Sequence, residues 1–139
     1  MIVSMGALKD EMTLGERMYG EQFLPQPSIL PQCDLLITHG GNNTTCEGFH
    51  FGLPMIALPL FWDQYDNAQR LQETGFGVRL PTYDWAEAGL LGTVDRLVGD
   101  DQLAGVMREN ARRIQADSGR ARAAGLLERL AVERAPVTG

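Results

Sequence analysis

The chain has 139 residues, 44% of them hydrophobic and 22% charged, proportions of an ordinary globular domain that indicate neither a disordered chain nor a fibrous repeat. Its formal net charge of -6 argues against a general nucleic-acid binder, which needs clustered Lys and Arg to neutralise phosphates. No apolar run approaches the ~20 residues of a membrane span and no charged-then-apolar leader opens the chain, so a cytoplasmic protein is expected, one domain over residues 1–139.

In chain order, Met1 to Met5 reads as a short apolar strand closed by Gly6. A second extended piece follows around Tyr19 to Leu24 and runs into Pro25, with only a polar loop or single helical turn between the two. Asp34 to Thr38 is a compact apolar run of strand length that ends in His39-Gly40-Gly41, where the backbone can turn sharply into a helix. That helix should take in Asn43 to His50 and stop at Gly52, with Pro54 just beyond. Pro54 to Leu58 repeats the buried-strand pattern. Asp63 is placed to cap a helix running to about Thr74, which Gly75 ends, and Gly77 to Leu80 is a last short strand.

From Asp84 the character becomes helical: to about Val98, then Asp101 to Ala116, then Arg120 to Glu133. Leu90, Leu91, Val94, Leu97 and Val98 share one helical face, and Leu126, Leu127, Leu130 and Ala131 share another. Strands alternating with helices specify an α/β fold, a partial doubly wound, Rossmann-like parallel sheet with crossover helices on both faces and a helical carboxyl-terminal region. Arg108, Arg112, Arg113, Arg120 and Arg122 are spaced as the solvated side of helices. Cys33 and Cys46 have neither metal-ligand spacing nor the density of a disulfide scaffold, and are expected as buried free thiols.

In open parallel sheets ligands bind beyond the carboxyl ends of the strands. Two polar clusters belong there, His39-Gly40-Gly41-Asn42-Asn43 and Trp62-Asp63-Gln64. Glycines let backbone approach a ligand closely, and the N–H groups of the helix that follows favour a phosphate or diphosphate, to which His39 and the Thr44 and Thr45 hydroxyls would add donors. Taken alone, a glycine turn equally serves to join a strand to a helix, and Asp63-Gln64 equally reads as a cap and a surface residue. The combination of the two clusters is more informative than either.

In order and spacing, Phe23-Leu24-Pro25-Gln26, Ile29-Leu30-Pro31, Thr38-His39-Gly40-Gly41, Asn43, Glu47, Gly52-Leu53-Pro54-Met55, Pro59, Asp63-Gln64 and Asn67-Ala68 closely resemble the donor-binding signature of the UDP-glycosyltransferase family, which has the two-domain GT-B architecture. The match runs from about Phe23 to Gly77. Phe49 to Gly52 and Phe61 to Asn67 are most similar to bacterial macrolide-type members; Asn42 stands where plant members carry an aromatic residue, and Gly40 where they carry a Cys.

The resemblance implies a role for each matched residue. Gln26 would contact the uracil base, and Phe23, in place of the family's usual Trp, would stack on it. His39, Gly41, Asn43 and Thr44 would hold the donor diphosphate. Glu47 would accept hydrogen bonds from the ribose hydroxyls, as an acceptor-only carboxylate suits a diol. Asp63 and Gln64, with Trp62 beside them, would hold the sugar. Neither cofactor nor metal is expected: helix N–H groups and His39 would stabilise the leaving diphosphate.

The implied activity is an inverting transfer of a hexose from a UDP-sugar to a hydroxyl of a small-molecule acceptor. The general base belongs, by the same resemblance, to a separate amino-terminal acceptor domain that these residues do not include. Met1 to Met5 matches the family's second donor-domain strand, so the first strand and its helix are expected to be missing too. One alternative is a non-catalytic nucleotide-sugar-binding subunit, completed by an acceptor-half protein or by homo-oligomer formation. Another is a hydrolase built on His39, Asp63 and a Thr hydroxyl, which lacks the usual nucleophile turn.

Overall fold

A computed structural model of the protein describes residues 1–133. It separates into two compact units, Met1–Cys33 and Asp34–Gly139. In the first, β1 (Ile2–Ser4) pairs in parallel with β2 (Tyr19–Glu21), in a register that sets Ile2 opposite Tyr19 and Ser4 opposite Glu21. The connection carries a single 3₁₀ turn, Gly6–Leu8, as the polar composition between them leads one to expect. After Pro25 the chain enters a four-residue helix, α1 (Gln26–Ile29), and a 3₁₀ turn, Leu30–Gln32. Proline near a helix start fits because its missing N–H would have had no intrahelical acceptor.

The second unit is built on a parallel sheet of β3 (Leu36–Thr38), β4 (Met55–Ala57) and β5 (Gly77–Arg79), in the order β3-β4-β5 among the described residues. Leu36, Met55 and Gly77 are in register, and so are Thr38, Ala57 and Arg79. The central strand is buried along its length, which is why Met55-Ile56-Ala57 is continuously apolar. The crossovers are α2 (Asn42–Phe51) and α3 (Asp63–Glu73). Helices were expected on both faces, but α2 and α3 touch each other: a strand order that advances in one direction puts successive right-handed crossovers on the same face.

The core joins β4 to α3 and α5. Met55, Ala57, Ala68, Leu71 and Met107 are buried together, with Leu36, Phe49, Phe76 and Leu103 packed against them; Phe49 and Phe76 meet edge to face at 5.7 Å. The later helices are α4 (Glu87–Val98), α5 (Asp101–Ala116) and α6 (Gly119–Glu133). Asp100 caps α5 by accepting from the Leu103 N–H at 2.9 Å. The fold is therefore α/β, parallel sheets with a helical carboxyl-terminal region, as the alternation of elements led us to expect.

Several expectations are corrected. Asp63 is not a cap: Trp62 occupies that position with φ 53°, ψ −133°, and Asp63 is the first helical residue, where its charge complements the helix dipole. The helix expected from Asp84 begins at Glu87, because Trp85 Nε1 donates to the Thr82 carbonyl and holds the preceding residues in a loop. On α4 only Leu97 of the expected face is buried; Leu90 and Val94 are half-buried, and Leu91 and Val98 are exposed. Leu126, Leu127 and Leu130 are exposed. Cys46 is an exposed free thiol and Cys33 a half-buried one. Among the described residues no helix is long and apolar enough to cross a membrane.

Candidate functional site

The carboxyl ends of β3 and β4 release the two polar clusters of the second unit side by side. After Thr38 the chain makes a tight turn in which the Thr38 hydroxyl accepts from the Gly40 N–H at 3.2 Å. Gly40 has φ +84°, a conformation that L side chains rarely adopt, and a Cβ there would stand 3.3 Å from the Gln64 carbonyl oxygen. Glycine thus serves twice, setting the turn and letting the start of α3 approach it. The imidazole of His39 lies over Gly41, its Nε2 only 2.5 Å from where a Gly41 Cβ would be.

α2 starts directly after this turn, with Gly41 as its cap. The N–H groups of a first helical turn have no intrahelical acceptor, and a glycine cap has no side chain to offer one. The first turn of α2 also holds no acidic residue, so its positive end faces outward uncompensated by the helix itself. The exposed His39 and Asn43 flank this opening, and Thr44 is half buried within it. Glu47 is half buried one turn along from Asn43, on the same side of the helix. Thr45 departs from the expectation of a donor: it is 7% exposed and its Oγ1 is buried with no hydrogen-bond partner.

The second cluster is organised by Gln64, which sequence reasoning placed at the surface or on a sugar. Its side chain is buried, and Oε1 accepts from the Leu60 N–H at 2.9 Å and the Phe61 N–H at 3.2 Å. That grip folds residues 60–64 into an arch whose crest is Trp62, 83% exposed, with Phe61 edge-on to it at 5.1 Å. Asp63 is exposed beside the crest. Only the Gln64 amide nitrogen is left to face a ligand, since the oxygen is engaged within the chain.

Asn67 ties the clusters together. Its Nδ2 donates to the Gly40 carbonyl at 2.9 Å and reaches Asp63 Oδ2 at 3.4 Å. No role had been assigned to it from sequence, although its position four residues after Asp63 puts both on one helical face. His39, Gly41, Asn43, Thr44 and Glu47 on one side, and Trp62, Asp63 and Gln64 on the other, therefore form one edge of the second unit. Phe23, 84% exposed, and Gln26, the first residue of α1, belong to the first unit. Among the described residues no three of His, Cys, Asp and Glu gather as metal ligands would.

This edge offers aligned N–H donors with no acidic residue in their own helical turn, an imidazole, one carboxylate a turn further along, and a carboxylate with an amide on a neighbouring helix start. Such an arrangement suits a diphosphate joined to polyhydroxylated groups. Comparison with known proteins places the chain in a family. Residues 2–124 match the family described as Erythromycin biosynthesis protein CIII-like, C-terminal domain. NDP-glycosyltransferase YjiC of Bacillus licheniformis is 35% identical over 107 residues, 77% of this chain and 27% of that protein. The crystal structure of the glycotransferase of kitacinnamycin superposes with a TM-score of 0.84 at 30% identity, over 92% of this chain and 34% of the other. Spinosyn rhamnosyltransferase SpnG complexed with thymidine diphosphate gives 0.74 at 26%, over 87% and 34%. The chain thus spans about a third or less of the length of these relatives.

Proposed function

The chain belongs to the family of Erythromycin biosynthesis protein CIII-like carboxyl-terminal domains, and from that premise we propose that residues 1–139 are the donor-binding domain of an inverting glycosyltransferase. The donor is a nucleoside-diphosphate hexose, UDP-linked in the first instance, and the acceptor a hydroxyl-bearing small molecule. The observation that carries this reading is the acid-free amino terminus of α2, tied through Asn67 to the helix start that bears Asp63 and Gln64.

In this reading the diphosphate lies across the first turn of α2, receiving hydrogen bonds from backbone N–H groups, His39, Asn43 and Thr44. Glu47 accepts from the ribose diol. Asp63 accepts from sugar hydroxyls, the Gln64 amide nitrogen donates to them, and Trp62 covers the ring. For Phe23 and Gln26, which belong to the first unit, the family resemblance supports a role toward the base. As the acceptor oxygen bonds to the anomeric carbon, the bond from that carbon to the diphosphate oxygen breaks. The departing charge is then met by preformed donors that need no reorganisation. The acceptor proton passes to a base outside these residues, so transfer requires an acceptor-binding half, whether on the same chain or on a partner.

Titration of the chain with UDP, UDP-glucose and TDP by calorimetry tests the reading. Saturable binding that His39→Ala weakens by about tenfold is the expected result, the scale of one hydrogen bond to a charged group. A folded chain that binds none of the three nucleotides would refute it. Tighter binding of TDP than UDP would keep the site and change the donor; among the structural relatives, the rhamnosyltransferase SpnG is known in complex with thymidine diphosphate.

A further inference from the structure

A second concavity opens at the carboxyl end of β5, beside the arch but lined by different residues. It has a volume of about 290 Å³, at the lower end of the ~300–1,000 Å³ usual for small-molecule sites. One wall is Tyr65, in the first turn of α3, with Pro59 behind it; the other is the β5–α4 connection, including Pro81, Tyr83 and Asp84. The walls are fastened to each other where the Thr82 hydroxyl donates to the Pro59 carbonyl at 2.5 Å, and the connection is braced within itself by Trp85 Nε1 donating to the Thr82 carbonyl at 3.2 Å.

Arg79 is the cation of this cleft. Its guanidinium carbon sits 5.1 Å from the centre of the Tyr65 ring, and the side chain is half buried. The ion pairs among the described residues join Lys9 to Glu21, Arg70 to Glu73, Arg112 to Glu109 and Arg122 to Asp117, and leave Arg79 out. A half-buried guanidinium normally answers a carboxylate or phosphate, because its fixed fork of donors matches two oxygens. Here one face is held by an aromatic ring, and among the described residues no carboxylate pairs with the fork.

From this geometry we propose that the cleft binds a small monoanionic carboxylate carrying a flat apolar body. The carboxylate pairs with Arg79, and the body lies between Tyr65, Pro81 and Tyr83. Asp84 in the lining repels any anion, and a phosphate dianion more than a carboxylate monoanion, so it selects between the two. The apolar walls reward a ring over a bare ion. The site uses none of the residues assigned to the nucleotide sugar.

Benzoate is the probe. Titrated into the full chain and followed by NMR, it is expected to saturate in the millimolar range and to shift the Arg79 Nε–H signal with those of the Tyr65 and Tyr83 rings. Arg79→Gln should weaken it about tenfold or more, the scale of a charge-assisted hydrogen bond. Tyr83→Ala, at a position 88% exposed, should weaken it several-fold. Benzamide, the neutral isostere, should not compete. The proposal is overturned if benzoate gives no saturable shift, if benzamide binds as well, or if inorganic phosphate displaces benzoate at equal concentration. UDP titration of Arg79→Gln should match the parent, which separates this site from the nucleotide site.

Discussion

Asn67 donates its amide hydrogen to the carbonyl of Gly40 at 2.9 Å, across 27 positions of sequence, and so fixes the start of α3 against the glycine turn. Asn67→Ala is expected to lower nucleotide affinity by about 1 kcal/mol, the usual net worth of such a bond. Asn67→Asp should be worse than Ala, because it would set a carboxylate against the Gly40 carbonyl and the Asp63 carboxylate. Calorimetry with UDP checks the order; equal losses in the two variants would show that the tie does not align the site.

Gly40→Ala combines an unfavourable φ of +84° with a Cβ 3.3 Å from the Gln64 oxygen. A destabilisation of about 1–2 kcal/mol is expected, read as a lower urea midpoint with unchanged slope. An unaltered midpoint would mean that the turn relaxes freely.

Thr45 buries a hydroxyl with no partner, a desolvation cost of about 1–3 kcal/mol. Thr45→Val keeps the shape and discards the polar atom, so thermal unfolding should move upward by a few degrees with nucleotide binding intact. A lower melting temperature would show that the hydroxyl is satisfied in solution.

Glu47→Gln removes the acceptor-only carboxylate assigned to the ribose. Affinity for UDP should fall by about 1–3 kcal/mol, whereas inorganic diphosphate should bind as before. A matching loss for diphosphate would instead place Glu47 beside the phosphates.

Lys9 and Glu21 form an exposed ion pair in the first unit. The hydrogen bond from Lys9, and then its charge, hold the Glu21 carboxyl below the usual carboxylate range, while the same bond and charge raise Lys9. Because the folded Glu21 value is depressed, its contribution is present above the unfolded value and is lost as pH falls through the folded one. For Lys9, raised, the contribution is present below the unfolded value and lost as pH rises through the folded one. In Lys9→Met, an NMR titration should show Glu21 protonating at higher pH than in the parent; identical curves would show the pair to be absent in solution.

The strand, glycine turn and helix over Asp34 to Phe51 were legible in sequence because glycine and proline punctuate apolar runs of strand length, and α5 falls on its expected span of Asp101 to Ala116. The adjacency of the two polar clusters followed from the rule for parallel sheets. What stayed hidden were meetings between side chains and distant backbone. Nothing in the spacing of Gln64 says that its oxygen turns inward to the Leu60 and Phe61 N–H groups, and Asn67 reaching Gly40 leaves no periodic trace. Tyr65 and Arg79 come together only because α3 returns along β5. The cap was misplaced because Asp63 has the right chemistry, while the backbone gives the position to Trp62 at a positive φ.

The arch over residues 60–64 is held by one amide oxygen gripping two backbone N–H groups. Since the grip reads the Leu60 and Phe61 main chain, their side chains are not part of the scaffold, and position 62 is limited only to residues that accept its φ of 53°. The crest is then a mount with exchangeable fittings: what these side chains present to solvent can change while the main-chain path beneath them is kept by Gln64.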